Sequence, residues 1–209
     1  MIELEKWEVV GWQHAARGMR NPMNSWDKSD SDFRYGFIGQ NDHDLMMKLR
    51  NAGTDHRKFM RMITVYVDIT APLYWWKEFD TYKVGTVANS CSTMHKIHEK
   101  EFTLDDFSWE HLDGYSLDVL DDIIVRLNDN RKHFCETGDK CYWWQMIQLL
   151  PTSYNQKRTV MLNYEVLANI YKSRKAHKLD EWRRFCDWIE KLPCSEIITG
   201  DRKDGAGDD

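Results

Sequence analysis

Between residues 75 and 95 the chain reads WWKEFDTYKVGTVANSCSTMH, and its polar residues are of the kinds that hold ligands. Lys83 supplies a point charge, Thr86, Ser90 and Ser92 supply hydroxyls, and Asn89 supplies an amide edge. Gly85 lets a backbone come close to a bound group. Such a set suits a phosphate or the edge of a nucleobase, and a plain connecting loop rich in Gly, Ser and Asn has the same composition. Glu78 and Asp80, two residues apart, are badly aligned on a helix to share a proton. Cys91 becomes reactive if Lys83 lowers its pKa, and otherwise serves small-residue packing. His95 and His98, three apart on an expected helix, read as a solvated pair rather than a metal edge. His133, Cys135 and Cys141 are clustered but lack a fourth ligand and the tight pairing of a zinc site, so no metal is expected.

The elements that must position these groups follow from periodicity. Residues 2–12 read as a short edge strand or an extended arm, and 13–32 as a helical turn broken near Pro22 and followed by a polar loop. Residues 41–53 read as a helix capped by Asn41 or Asp42, with Leu45, Met46 and Leu49 as its apolar stripe and Gly53 as its end. Residues 58–72 alternate as a strand, with Phe59, Ile63, Val65, Val67 and Ile69 on one face and Met60, Met62, Thr64, Tyr66 and Asp68 on the other. Pro72 suits the first turn of a helix carrying Trp75 and Trp76. Beyond the ligand-like segment the pattern is helical: 116–134, 142–151, 163–174 and 179–192. The pairs Trp75–Trp76 and Trp143–Trp144 are assigned to a core or a subunit interface. The expected architecture is α/β, with one domain over residues 1–195 and a flexible acidic tail over 196–209.

Bulk properties exclude several classes. A net charge of −5 argues against binding a nucleic-acid polymer, yet leaves room for a small anion in a local basic pocket. No run of apolar residues is long enough to cross a membrane, and the first residues lack signal-peptide order. Five scattered cysteines without a CxxC pair fit a reducing compartment, so a cytoplasmic protein is expected.

Residues 42–97 resemble the central region of flavin-dependent thymidylate synthases, the thymidylate synthase complementing proteins. Those proteins carry a helix, a short polar link, a strand, an Ala-Pro turn matched here by Ala71-Pro72, and then the signature RHRxxSxNExSxRY. Leu150-Pro151 followed by Asn163, Leu167, Asn169 and Arg174 is similar to a later run of the family, and Ala15-Ala16-Arg17 resembles one near its start. The signature itself departs: Thr81, Tyr82 and Lys83 stand for RHR, Thr86 for the first Ser, Ala88-Asn89 or Asn89-Ser90 for Asn-Glu, Cys91 or Ser92 for the later Ser, and Glu78 for a Gln.

The resemblance implies a flavin-dependent thymidylate synthase-like fold, a small and mostly antiparallel sheet flanked by helices with a helical C-terminal half. It also implies a homotetramer. It places a pyrimidine deoxynucleotide against Glu78, Lys83, Thr86, Asn89, Ser90, Ser92, Lys157 and Arg174, and FAD against Thr81, Tyr82, Lys83, Asn163, Asn169 and Arg174. A reduced folate and NADPH are the implied co-substrates of one-carbon transfer to dUMP or a related nucleotide, the methyltransferase chemistry of dTMP biosynthesis. No catalytic side chain is implied, because the flavin carries the reaction and the protein binds and orients. Losing the paired arginines weakens the hold on a phosphate. The alternative is a catalytically inactive nucleotide-binding or structural homologue of the same fold.

Overall fold

A computed structural model describes residues 1–200. In chain order these form β1 (Glu3–Val10), α1 (Trp12–Arg20), α2 (Gln40–Asn51), β2 (Thr64–Pro72), α3 (Leu73–Phe79), β3 (Val87–Ser90), α4 (Gly114–Thr137), α5 (Lys140–Leu149), β4 (Asn155–Asn163), α6 (Tyr164–Arg174), α7 (Asp180–Ile189) and α8 (Glu196–Thr199). The four strands make one small antiparallel sheet in the order β1-β2-β4-β3, flanked by helices as expected. No helix among the described residues is long and apolar enough to cross a membrane.

Alternation builds β2. Val65, Val67, Ile69 and Ala71 are at most 1% exposed, while Thr64, Tyr66, Asp68 and Thr70 point the other way and stay at least partly accessible. The expected strand over 58–72 is shorter at its start, because residues 57–62 form a 3-10 helix. Phe59 and Met60 are adjacent and both buried, which a strand with one apolar face does not allow. Two strands were not foreseen. β4 hides its period because its inward positions begin with Gln156 and Arg158 before Val160 and Leu162, and β3 is an exposed polar edge.

By its internal contacts the chain divides into two compact units. The first comprises Met1–Glu3, Asp68–Thr81 and Asn89–Thr159. Its core gathers Ile97, Phe102, Phe107, Leu120, Ile124, Leu127 and Met146, with α5 packed on α4. Trp75, Trp76 and Phe79 form a second aromatic group there, with centroids 4.9–5.3 Å apart. Of the other tryptophan pair, Trp143 is half-buried and donates to the Met94 carbonyl, while Trp144 is exposed.

The second unit comprises Leu4–Val67, Tyr82–Ala88 and the residues from Val160 onward. There α6 packs against α7 and α8, and α1 against α2. Within the span expected as a tail, Glu196–Thr199 is helical, with Ile197 and Ile198 buried. Residues 201–209, the rest of that expected tail, lie outside the described residues.

The start of α2 differs from expectation and has a clear cause. Neither Asn41 nor Asp42 caps it; Gly39 is the cap residue, and the Asp30 carboxylate accepts from the Asn41 and Asp42 amides at 2.9 and 3.2 Å. A Cβ at Gly39 would lie 2.2 Å from the Asp30 side chain, so the approach requires glycine. Asp42 is itself fully buried and takes hydrogen bonds of 2.6 Å from each of Arg20, Ser29 and Ser31. Burial, the largest influence, pushes its carboxyl pKa up, and the hydrogen bonds from Ser29, Ser31 and Arg20 outweigh it and hold the group below its ordinary 3.8.

Because the folded value is depressed, the stabilisation is complete above the ordinary carboxylate range and drains as pH falls through the folded value. Asp42→Ala leaves Arg20 buried and unpaired, and urea unfolding at neutral pH should show a loss of about 3–5 kcal/mol. The variant should also lose part of the steep drop in stability that the parent shows below about pH 4.

Candidate functional site

In the second unit, Tyr82 and Arg174 meet. The Arg174 Nε donates to the Tyr82 hydroxyl at 3.0 Å. The guanidinium lies 4.8 Å from the Trp182 ring centroid and 5.7 Å from that of Tyr82. Position follows from local structure: Arg174 closes α6, Trp182 sits in the first turn of α7, and the rings of Tyr82 and Trp182 meet edge to face at 6.0 Å. A half-buried guanidinium held in this way has a fixed direction before any ligand arrives. Lys83, next in sequence to Tyr82, is exposed and makes no ion pair among the described residues.

The same unit brings Gly85 against Asn163. Asn163 caps α6 by accepting from the Val166 amide at 3.0 Å. Gly85 has φ +77°, and a Cβ there would stand 2.9 Å from the Asn163 Nδ2 and 3.2 Å from a Val166 methyl. The neighbouring Thr86 hydroxyl is buried and has no hydrogen-bond partner among the described residues. Asn169 is not with this group. Five residues of α6 separate it from Arg174, a turn of about 140°. It lines a 480 Å³ pocket with Arg50, Arg57, Lys172 and Lys175 instead.

In the first unit, Thr81 donates to the Glu78 carbonyl at 2.8 Å. Asn89 and Ser90 stand exposed on β3, which runs beside β4. The Ser92 hydroxyl accepts from the amides of Met94 and His95, at 3.2 and 2.9 Å, as the cap of a tight turn. Lys157 faces Asp68 at 3.9 Å. The helix expected to carry His95 and His98 is a run of turns, and His98 is no solvated partner: it is half-buried, with its ring 4.9 Å from that of Phe134. Among the described residues no group of three or more His, Cys, Asp and Glu side chains is placed to hold a metal ion.

Two contributors, Trp182 and Gln156, were absent from the sequence-based set. Trp182 forms the wall behind Arg174, while Arg158 and Gln156 sit at the base of the ligand-like segment. In the sequence Trp182 falls on the apolar face of the helical pattern over 179–192, which does not distinguish it from core. Counting back by twos from Val160 would have placed Arg158 and Gln156 on the inward side of a strand.

No family model matches the sequence. No curated protein matches it either. Solved structures do resemble it. A structure of Thymidylate Synthase X (ThyX) from Helicobacter pylori with FAD and dUMP aligns with TM-score 0.70 at 16% identity, covering 96% of this chain and 98% of that one. A second, of the flavin-dependent thymidylate synthase ThyX from Helicobacter pylori complexed with FAD and dUMP, aligns with TM-score 0.70 at 17% identity over 95% of this chain and 98% of that one. At such identity the likeness establishes a shared fold, and it runs through nearly the full length of both chains.

The left-handed turn at Gly85 gives a direct check. Gly85→Ala adds backbone strain and a contact on Asn163, so thermal unfolding should show a loss of about 1–2 kcal/mol. Alanine at the exposed neighbour Lys83 should change stability by less than about 0.5 kcal/mol.

Proposed function

We propose that this chain is a divergent flavin-dependent thymidylate synthase-like protein that binds FAD and a pyrimidine deoxynucleotide. The likeness to two structures with both ligands supports the reading. The observation that carries it is the Arg174 guanidinium, fixed by Tyr82 and Trp182 in the unit that also holds exposed Lys83.

The residues fit phosphate-bearing ligands by their chemistry. Lys83 and Arg174 offer charge, Asn163 and Tyr82 offer polar edges, and the Thr86 hydroxyl is a buried group with no partner among the described residues. For the nucleotide, Glu78, Lys83, Thr86, Asn89, Ser90, Ser92, Lys157 and Arg174 remain the assigned set; for FAD, Thr81, Tyr82, Lys83, Asn163, Asn169 and Arg174. A bound flavin would supply the redox chemistry that side chains lack. The chain's own part is to bind, orient and screen. A homotetramer, and one-carbon transfer to dUMP or a related nucleotide with folate and NADPH, complete the enzymatic form of this reading.

One observation favours the inactive form instead. Thr81, Tyr82 and Lys83 leave a single cation where the family signature has two arginines, at a cost of about 1.5–3 kcal/mol for each charged hydrogen bond lost. Weak ligand binding without transfer follows from that deficit.

Purified protein should carry visible flavin absorption or take up added FAD. Saturating dUMP, at about a hundredfold its Kd, should stabilise the fold by about 2.7 kcal/mol in a thermal shift. Arg174→Met should weaken dUMP binding about tenfold or more while leaving the free protein folded. A colourless protein that takes up no FAD and is not stabilised by any deoxynucleotide would overturn the proposal. Production of dTMP from dUMP with folate and NADPH separates the active form from the inactive one.

A further inference from the structure

The inward face of β4 buries two polar side chains where the strand's next inward residues, Val160 and Leu162, are fully buried and apolar. Gln156 is 8% exposed and the Arg158 side chain 14%. Burying such groups is costly unless their hydrogen bonds are satisfied. Here they are satisfied in one particular way. The Arg158 Nη1 donates to the Asp80 carboxylate at 2.8 Å, and its Nε donates to the Gln156 Oε1 at 3.0 Å. The Gln156 Nε2 donates in turn to the Cys91 carbonyl at 2.7 Å. Beside this chain of bonds, the Cys91 amide donates to the Lys157 carbonyl at 2.9 Å. The Arg158 guanidinium lies over the Trp76 ring, 4.2 Å from its centroid, and the Trp76 indole donates to the Gln156 carbonyl at 2.9 Å.

Asp80 and Cys91 flank residues 81–90, the middle of the ligand-like segment. The chain leaves the first unit after Thr81 and re-enters it at Asn89. All members of the bonded chain belong to the first unit, so its exit and re-entry points are tied through one guanidinium and one amide. We propose that Arg158 is a positioning residue: with Gln156 it clamps Asp80 to Cys91 and fixes the span of residues 81–90. A planar guanidinium suits this, since it presents donors to Asp80 and Gln156 together while stacking on Trp76. Lysine can reach one acceptor and loses the stacked plane. The consequence for ligand affinity rests on the nucleotide-binding function proposed above; the consequence for the backbone does not.

The test uses the full chain without ligand, followed by hydrogen exchange at Asn89, Ser90 and Cys91. Arg158→Met keeps an apolar stem on Trp76 and removes both donations. Exchange at these three amides should quicken about tenfold, with amides of α4 and α5 unchanged. Arg158→Lys should fall between parent and Met variant. Asp80→Ala, which removes the acceptor at the exposed end of the clamp, gives the same reading should the Met variant fail to fold. Unchanged exchange in the folded variants would overturn the clamp. With dUMP added, Arg158→Met should raise Kd about tenfold, measured at a temperature where the free variant is fully folded. Faster exchange in a protein whose parent binds no nucleotide would leave the clamp standing and remove the ligand reading. Faster exchange with an unchanged dUMP Kd would show that the clamp does not position ligand groups.

Discussion

One constraint underlies everything described here: β2 can pair in a single register. Its inward residues Val65, Val67, Ile69 and Ala71 are essentially sealed from solvent, and each large one contributes about 1.5–3 kcal/mol by burial. A slip by one residue would bury Thr64, Tyr66, Asp68 and Thr70 in their place and expose the apolar set. β2 lies between β1 and β4, so its register sets theirs. Pro72 then ends the strand and starts α3, whose Trp75, Trp76 and Phe79 are all buried. The position of Asp80, one residue beyond α3, is thus inherited from the strand.

Against that apolar frame, buried polar groups stand out, and the two clearest sets share a design. In each, an arginine is desolvated only where an aspartate and further hydrogen-bonding groups meet it: Arg20 with Asp42, to which Ser29 and Ser31 also donate, and Arg158 with Asp80 and Gln156. Each set also joins segments distant in sequence. The first ties α1 and the loop after it to α2; the second ties the two ends of segment 81–90 to β4. Hydrophobic burial alone is non-directional and would leave such loops free to shift.

Much of this was legible in the residues. Alternation marked β2, the helical period marked α4 and α7, and Ala71-Pro72 marked the strand-to-helix corner. What escaped notice shares a cause. β4 opens on polar inward residues, so its period is masked until Val160. β3 has no apolar face to announce it. The carboxylate that accepts the first amides of α2 belongs to Asp30, ten residues before the helix begins, and no local pattern reports a partner at that distance. At the candidate site, residue type singled out Lys83 and the family resemblance added Tyr82 and Arg174, but neither could show that Trp182 backs Arg174 or that Asn169 turns to another face of α6. Those facts depend on helix phase and on packing between α6 and α7.

The arrangement also explains how a site poor in cations could still hold an anion. A free side chain that must be immobilised on binding costs about 0.5–1.5 kcal/mol in lost rotamers. Arg174 has met most of that cost in the folded state, through its bond to Tyr82 and its contact with Trp182. Lys83, exposed and unpaired among the described residues, has not. In the proposed function the two cations are therefore unequal: Arg174 sets where the charged group sits, and Lys83 adds attraction that ionic strength screens readily. A site of this kind keeps its geometric selectivity while giving up affinity, which is the balance that replacing the signature's arginines by Thr81, Tyr82 and Lys83 would produce.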